Sequence, residues 1–487
     1  MPVDPAPAYI SLLSPDSRRA ARESQWQPTS TADLGLDLII STLNIDGKHE
    51  RALKNILLGL DDDVETIRYR QEIIEDLLRV PVLLTQLEGL LPLFSDLAYY
   101  AGATEIQMPL QRTLARLGEL ELYLNAVALL HDYLSSAGAN LQSRGLTALR
   151  DLVQARSTDS DLVRLRQELP KITEKIRELR SITLGINLDH NLKPIAATLL
   201  SINTEPFKGT GLFKRLFGER AEFQGIAELH SVPMKTVSTL DGRIIPAPER
   251  ADPMLFPLFK DLDNILADTV RPVESALRSF LRLSSQFLTI LEPEIVFYVG
   301  AVRLISAIRE QGMPMCRPQI AAMEARTCII RDCYNLHLAL RHLNRSPKAR
   351  LADHIVPSDV TFDDDGRILI ITGPNQGGKT TYIQAIALAQ ILFQAGLYVP
   401  GSSATISPVD AIYSHFPVEE KPNTEAGRFG EEAQRLNVIF KQATRHSLIL
   451  LNESLSSTAA VESLYLARDV VRCFRLLGVR AAYTTHL

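Results

Sequence analysis

Cysteine is scarce and shows no pairing pattern. Cys316, Cys328, Cys333 and Cys473 are scattered through 487 residues without a CxxC pair, which argues against a disulfide framework and for a reducing compartment. A zinc site built from Cys316, Cys328, Cys333 and His337 is disfavoured too. On a helix, positions 328 and 333 stand about 140° apart and share no face, so small buried hydrophobes are the simpler reading.

An apolar leader is also missing. Residues 1–28 are rich in Pro, Ser and Arg and carry no signal-type hydrophobic stretch; they are expected to form a flexible arm, and the chain to be cytoplasmic with no membrane partner. The most apolar run, residues 382–399, is interrupted by Gln384, Gln390 and Gln394, and is better explained by a helix buried against a sheet than by a membrane span. No large charge excess exists either. A net charge of -5 and a pI near 6.1 give no global attraction to phosphate backbones, so a nucleic-acid contact needs a local basic patch or a dimer groove.

What is present is the composition of an ordinary folded protein, 46% hydrophobic and 22% charged, long enough for about two to four domains. Residues 34–200 show apolar spacings of three and four, which predict long helices. Asp61, Asp62 and Asp63 are placed to cap one that carries Val64, Ile67, Ile74, Leu77 and Leu78 inward until Pro81. A second is predicted over residues 161–184, its charge run a solvated face. Glycines and prolines break the pattern over residues 204–257, which reads as loops with a small β excursion. Helical periodicity resumes over residues 258–343, before a basic connector at 345–350. The expected layout is therefore an arm (1–28), a helical domain (29–344) with the insertion, and a final domain (345–487) alternating strands and helices. That alternation predicts an α/β domain with a doubly wound parallel sheet.

The final domain carries the chemistry. Gly373, Pro374, Asn375, Gln376, Gly377, Gly378, Lys379 and Thr380 satisfy GxxxxGK[ST] between a predicted strand and a predicted helix. The glycines let backbone N–H groups turn inward around phosphates, Lys379 neutralises the β and γ oxygens, and Thr380 offers a hydroxyl to Mg2+. The run from Leu448 to Leu451 places Asn452 and Glu453 at the end of a buried strand. This is Walker B geometry with Asn452 where most P-loop ATPases have Asp, so the Mg2+ shell gains an acceptor but no charge. Glu453 is placed to orient and polarise the attacking water. Ser456, Ser457 and Thr458 form a polar turn that reads as a phosphate contact, a helix cap, or both. His486, closing a third strand, is placed to sense the γ-phosphate, although a lone His is more often structural.

Several of these stretches resemble the MutS family of DNA mismatch repair proteins. Residues 372–381, ending in Thr380 and Thr381, read TGPNQGGKTT, similar to the family's TGPNMGGKST. Tyr398, Val399 and Pro400 follow as in the family, then Ile406, Pro408, Asp410 and Ile412 resemble its IGPIDRI segment. Residues 355–360 resemble its FVPNDI approach on the adenine side, with Ile355 where an aromatic stacks on the base. Residues 423–432, with Gly427, Arg428, Phe429 and Glu432, resemble the signature loop and helix that meets the γ-phosphate of the opposite subunit; Gly427 stands where the family offers Ser. Arg70, Gln71, Arg317 and Pro318 carry a weaker resemblance to the core and lever domain.

The resemblance implies an ABC-like P-loop ATPase domain behind a helical core and lever, with ATP and Mg2+ as cofactors. It also implies a homodimer through the ATPase domains and DNA as partner, nucleotide state moving the levers as a clamp. No mismatch-reading domain, Phe-x-Glu wedge or connector domain is recognisable ahead of the levers, so mismatch recognition is not implied, and a fragment or truncated product is suspected. Lys208, Lys214, Arg215 and Arg220 interleave with Phe207, Phe213 and Phe217 where the family inserts its DNA clamp. That mixture suits phosphate contact with stacking, or an amphipathic turn packing on neighbouring helices. A nucleotide-binding dimer switch with little hydrolysis and no DNA partner fits the same residues, and a transporter-type subunit leaves the helical section unexplained.

Overall fold

The computed structural model describes residues 10–16, 34–102, 109–177, 181–188, 190–191, 194–205, 208–209, 224–225, 234–238, 244–248, 277, 285–346, 350–374, 376–416, 427–455 and 460–486. Lys214, Arg215, Arg220, Asn375 and the 456–458 turn lie outside them. The chain forms two compact units, one of Met1–Gly89, Tyr133–Leu152 and Ile290–Leu487, the other of Leu90–Asp132 and Val153–Thr289. All four dividing positions fall inside helices, those of Pro81–Gly102, Pro109–Ala137, Arg144–Ser157 and Gln286–Glu310. The basic connector at 345–350 lies within the first unit, and strand Ser358–Phe362 beyond it pairs with Cys328–Cys333 before it.

Local chemistry sets the first unit's helices. Asp63 caps Val64–Arg79 by accepting the Thr66 N–H, and Ile67, Ile73, Ile74 and Leu77 are buried. Gln71 donates to Pro318 O at 3.2 Å and accepts from Arg317 Nε at 3.3 Å, so residues far apart in sequence meet.

Two expectations give way to strand. The helix predicted over 161–184 is Ser160–Arg177, and Ser181–Leu188 pairs antiparallel with Pro194–Asn203. The reason is visible in Ile182, Leu184, Ile186 and Leu188, which alternate with a period of two that suits a pleated ribbon. Residues 311–335, predicted helical, contain the strands Met315–Cys316, Gln319–Ile320 and Cys328–Cys333. All four cysteines are free. The expectation that Cys328 and Cys333 share no face is overturned by a bulge: Asp332 takes φ 53°, the pairing shifts register between Ser358 and Val360, and Cys333 joins Cys328 and Ile330 on the buried face of the strand. The small β excursion is present as the pair Met234–Ser238 with Ile244–Pro248 and the two-residue bridge Lys208–Gly209 with Gln224–Gly225.

Four parallel strands carry the C-terminal section, in the order Ile368–Thr372, Arg480–Thr485, Leu448–Asn452, Ile412–His415. Leu448–Asn452 and Arg480–Thr485 are buried at every residue, which explains the unbroken apolar run from Leu448 to Leu451; in the second strand Arg480 is met by the carbonyls of Thr327, Ser407 and Pro408, and Thr484 by Asn452. Ile449, Leu451, Ala481 and Tyr483 pack with Leu436, Ile439 and Phe474 of helices Gly427–Gln442 and Ala460–Leu477. Side-chain alternation turns Leu448, Leu450 and Asn452 to the opposite face, that of helix Lys379–Gln394. That helix is buried almost all round. Gln390 donates to Ser407 O, and Gln394 to Val409 O and Asp61 O, while Gln384 accepts from the Asn335 side chain, so two of the three polar interruptions donate to backbone carbonyls and the third is met by a side chain. Gly396 ends it with φ 80°, in a Schellman arrangement in which Leu397 N–H reaches Leu392 O and Gly396 N–H reaches Phe393 O. Among the described residues no single helix is long and apolar enough to cross a membrane.

Candidate functional site

The loop between Ile368–Thr372 and Lys379–Gln394 is a tight turn. Gly373 has φ 153°, Gly378 φ 84° and Gln376, a non-glycine, φ 65°, and the Gly377 N–H donates to Pro374 O at 3.1 Å. Lys379 is only 7% exposed. Its ammonium donates to Gly373 O at 3.0 Å and Pro374 O at 3.1 Å, and lies 3.5 Å from His486 Nε2 and 3.6 Å from Glu453 Oε1. The loop carbonyls thus hold the cation at the first turn of a helix, where the backbone dipole already favours an anion.

Asn452 ends the fully buried strand. Its Oδ1 accepts from Thr380 Oγ1 at 3.1 Å and from Thr484 Oγ1 at 2.8 Å. The chain then turns sharply, with left-handed φ values of 49° at Glu453 and 63° at Leu455, each costing about 1–3 kcal/mol unless the surroundings hold it. They do hold it. Glu453 N–H donates to both Thr484 O and Thr484 Oγ1 at 3.1 Å. Leu455 N–H donates to Glu432 Oε2 at 2.9 Å, and Tyr483 OH to Ser454 O at 3.1 Å. Ser454 Oγ lies 2.7 Å from His415 Nδ1. Burial holds the His415 imidazole below its ordinary pKa, and its Nε2 has no partner among the described residues. The turn aims the Glu453 carboxylate at the loop, with Oε1 2.8 Å from His486 Nε2.

Of the residues the sequence singles out, Gly373, Pro374, Gln376, Gly377, Gly378, Lys379, Thr380, Asn452, Glu453 and His486 come together at the C-terminal ends of parallel strands. Thr381 offers its carbonyl to Asn335 Nδ2 at 2.9 Å. Ile355 is buried, and the exposed apolar group beside it is Val356 at 84%. Gly427 opens a helix of 16 residues on which Phe429 is 41% exposed. Glu432, buried on that helix, reaches the Glu453–Leu455 turn of its own chain. Lys208 lies in the two-residue bridge with Gln224–Gly225. Sequence reasoning gave no role to Thr484, His415 or Ser454. Only strand order makes them neighbours of the loop, though a hydroxyl such as Thr484 at the end of an apolar strand was a signal.

The profile described as the MutS2 N-terminal domain matches residues 62–311, more than half of the chain. The chain belongs to the MutS family. A second profile, MutS domain V, an ATPase-type domain, matches residues 369–487. The DNA mismatch repair protein MutS of Methanothrix thermoacetophila is 25% identical over 83% of this chain and 46% of its own length. The endonuclease MutS2 of Thermus thermophilus is 33% identical over 27% of this chain and 18% of its own. The mismatch repair protein MSH3 of Coccidioides immitis is 33% identical over 35% and 16%. The chain matches less than half the length of each of these MutS-family relatives.

Proposed function

We propose that this chain binds ATP with Mg2+ at the 373–380 loop of a doubly wound P-loop domain and hydrolyses it. The observation that carries this reading is the convergence of Lys379, Thr380, Asn452, Glu453 and His486 on one loop. Lys379 exchanges its two carbonyl partners for phosphate oxygens. Thr380 Oγ1 and Asn452 Oδ1, 3.1 Å apart, are the residues that would hold Mg2+, because both are hard oxygen donors. The metal supplies charge that offsets the phosphates. Glu453, oriented by His486, accepts the proton of the attacking water, and the 453–455 turn keeps its carboxylate aimed at the loop.

Pairing of two copies completes the reading. The start of helix Gly427–Gln442, with Gly427, Arg428 and Phe429, meets the γ-phosphate of a partner copy through backbone N–H groups. Glu453→Gln is expected to lower ATP turnover by about 10²–10⁴-fold while keeping ATP binding, and to sediment as a dimer with ATP. Equal turnover in the two chains would end the catalytic assignment. The neutral Asn452 favours a second reading, a nucleotide-gated dimer switch with little turnover; in that case wild type itself turns over at the level of the Glu453→Gln chain.

DNA is the polymer partner we propose, from the mismatch repair names of the relatives and the interleaved Lys208, Lys214, Arg215 and Arg220. Reversing the charges at Lys214 and Arg215 is expected to weaken binding to duplex and branched DNA at low salt by about tenfold or more. Unchanged affinity would remove this segment from the interface.

A further inference from the structure

Residues 10–16 form a strap without regular secondary structure, and Leu12 within it is only 1% exposed. Four side chains from helices Val64–Arg79 and Gln286–Glu310 grip the strap's backbone. The Glu294 carboxylate accepts the Leu12 N–H at 2.6 Å and the Ser11 hydroxyl at 2.7 Å. Tyr69 OH donates to Ser11 O at 2.8 Å, Tyr298 OH donates to Leu12 O, and Arg70 Nε donates to Leu13 O at 2.7 Å. Three consecutive carbonyls and one N–H are therefore read by side chains, and a buried leucine seats them. Without a peptide, Glu294 would lose both donors in a site that already buries it, a costly state for a carboxylate.

Arg70 faces two ways. Its Nη2 reaches Asp61 Oδ2 at 3.1 Å and its Nη1 reaches Gln394 O at 3.4 Å, the last residue of helix Lys379–Gln394. Its stem packs on Gly396, where any Cβ would stand 2.3 Å from the Arg70 Cβ. The strap is thus one residue removed from the C-terminal end of a helix whose first turn carries Lys379 and Thr380.

We propose that Tyr69, Arg70, Glu294 and Tyr298 form a peptide-backbone clamp occupied by residues 10–16, and that its occupancy lowers nucleotide affinity at the far end of helix Lys379–Gln394. The coupling half rests on the nucleotide reading above; the clamp half does not. A helix of 16 residues is about 24 Å long, and its continuous backbone hydrogen bonds join the end at Gln394 to the turn that carries Lys379. In the strap-docked arrangement Lys379 is engaged by Gly373 O and Pro374 O, so ATP must displace those bonds. Releasing the strap frees the helix end to shift and lowers that barrier to binding. Linkage then requires ATP to weaken strap docking by the same factor.

The test uses the full-length Leu12→Asp chain, whose charged residue cannot occupy the buried seat, and a fluorescein-labelled peptide of residues 8–18. Saturable anisotropy is expected with the Leu12→Asp chain, with at least tenfold weaker uptake by wild type, whose own strap competes. The ATP dissociation constant is expected to be at least fivefold lower in Leu12→Asp than in wild type, and saturating ATP to weaken peptide binding by the same factor. Tyr298→Phe, which removes one hydroxyl and leaves the packing intact, carries the same comparison with a smaller shift in the same direction. Absence of peptide binding to either variant overturns the clamp, and ATP affinities equal to wild type in both variants overturn the coupling. If no chain binds ATP, the nucleotide reading fails and the coupling with it, while peptide anisotropy still decides the clamp.

Discussion

Asn452 shows how much one atom decides. Its Oδ1 accepts two hydroxyl protons, from Thr380 and Thr484, and a carboxylate oxygen would accept both equally well. Asn452→Asp is therefore expected to fold normally. A unit charge at about 4 Å and an effective dielectric near 20 is worth about 4 kcal/mol before screening. The Mg2+ concentration that half-saturates hydrolysis should accordingly fall by about tenfold or more in a Mg2+ titration. An unchanged midpoint would remove residue 452 from the metal shell. At this scale the contiguous loop was legible, because Gly373 to Thr380 carry their meaning in adjacent positions. Thr484 and His415 were not, because their partners lie 32 and 39 positions away and only parallel strand pairing brings them close.

The Glu453–Leu455 turn belongs to the scale of elements, since strand, helix and neighbouring strand each hold one part of it. Glu432 on helix Gly427–Gln442 accepts the buried Leu455 N–H. Glu432→Ala leaves that donor unsatisfied, which costs about 1–3 kcal/mol and frees the backbone of a left-handed residue. Chemical denaturation should show that loss, and ATP turnover should fall further than stability alone explains. Glu432→Gln keeps an acceptor and should stay near wild type on both measures; parity of Ala with Gln would deny the turn this support. Element type was read well where periodicity was long, as in Val64–Arg79 and Lys379–Gln394. It was misread where strands were short or where alternation followed a helix without a break, as in Met315–Cys316 and Ser181–Leu188.

For the whole molecule, the buried Glu294 makes stability depend on pH. Burial pushes its carboxyl from 4.5 up to about 7, against the Leu12 and Ser11 hydrogen bonds and the nearby Arg70 charge, which pull it down. Tyr69 and Tyr298 are the other titratable groups facing it. The folded chain therefore holds a proton that the unfolded chain has released across that window. Its stabilisation is complete below about pH 4.5 and is lost as pH rises through about 7, on the order of 3 kcal/mol in all. Denaturation midpoints measured from pH 5 to 8 should fall by more in wild type than in Glu294→Gln. Identical slopes in the two chains would show that Glu294 is not the group responsible.

Sequence alone picked out the 373–380 loop, its flanking strand and helix, the Asn at position 452 and the expected family, because each depends on neighbouring residues or on a short-range period. The tertiary structure decided which distant groups share a space. It placed Thr484 under Asn452, Glu432 and His415 behind the Glu453 turn, and the Gln390 and Gln394 amides against buried carbonyls. It also seated residues 10–16, in a stretch the sequence read as a flexible arm, against Glu294 and Arg70. The physical reason is that a backbone carbonyl or a buried carboxylate has no sequence period. Its partner is fixed only when packed helices and sheet order bring remote segments within hydrogen-bond reach.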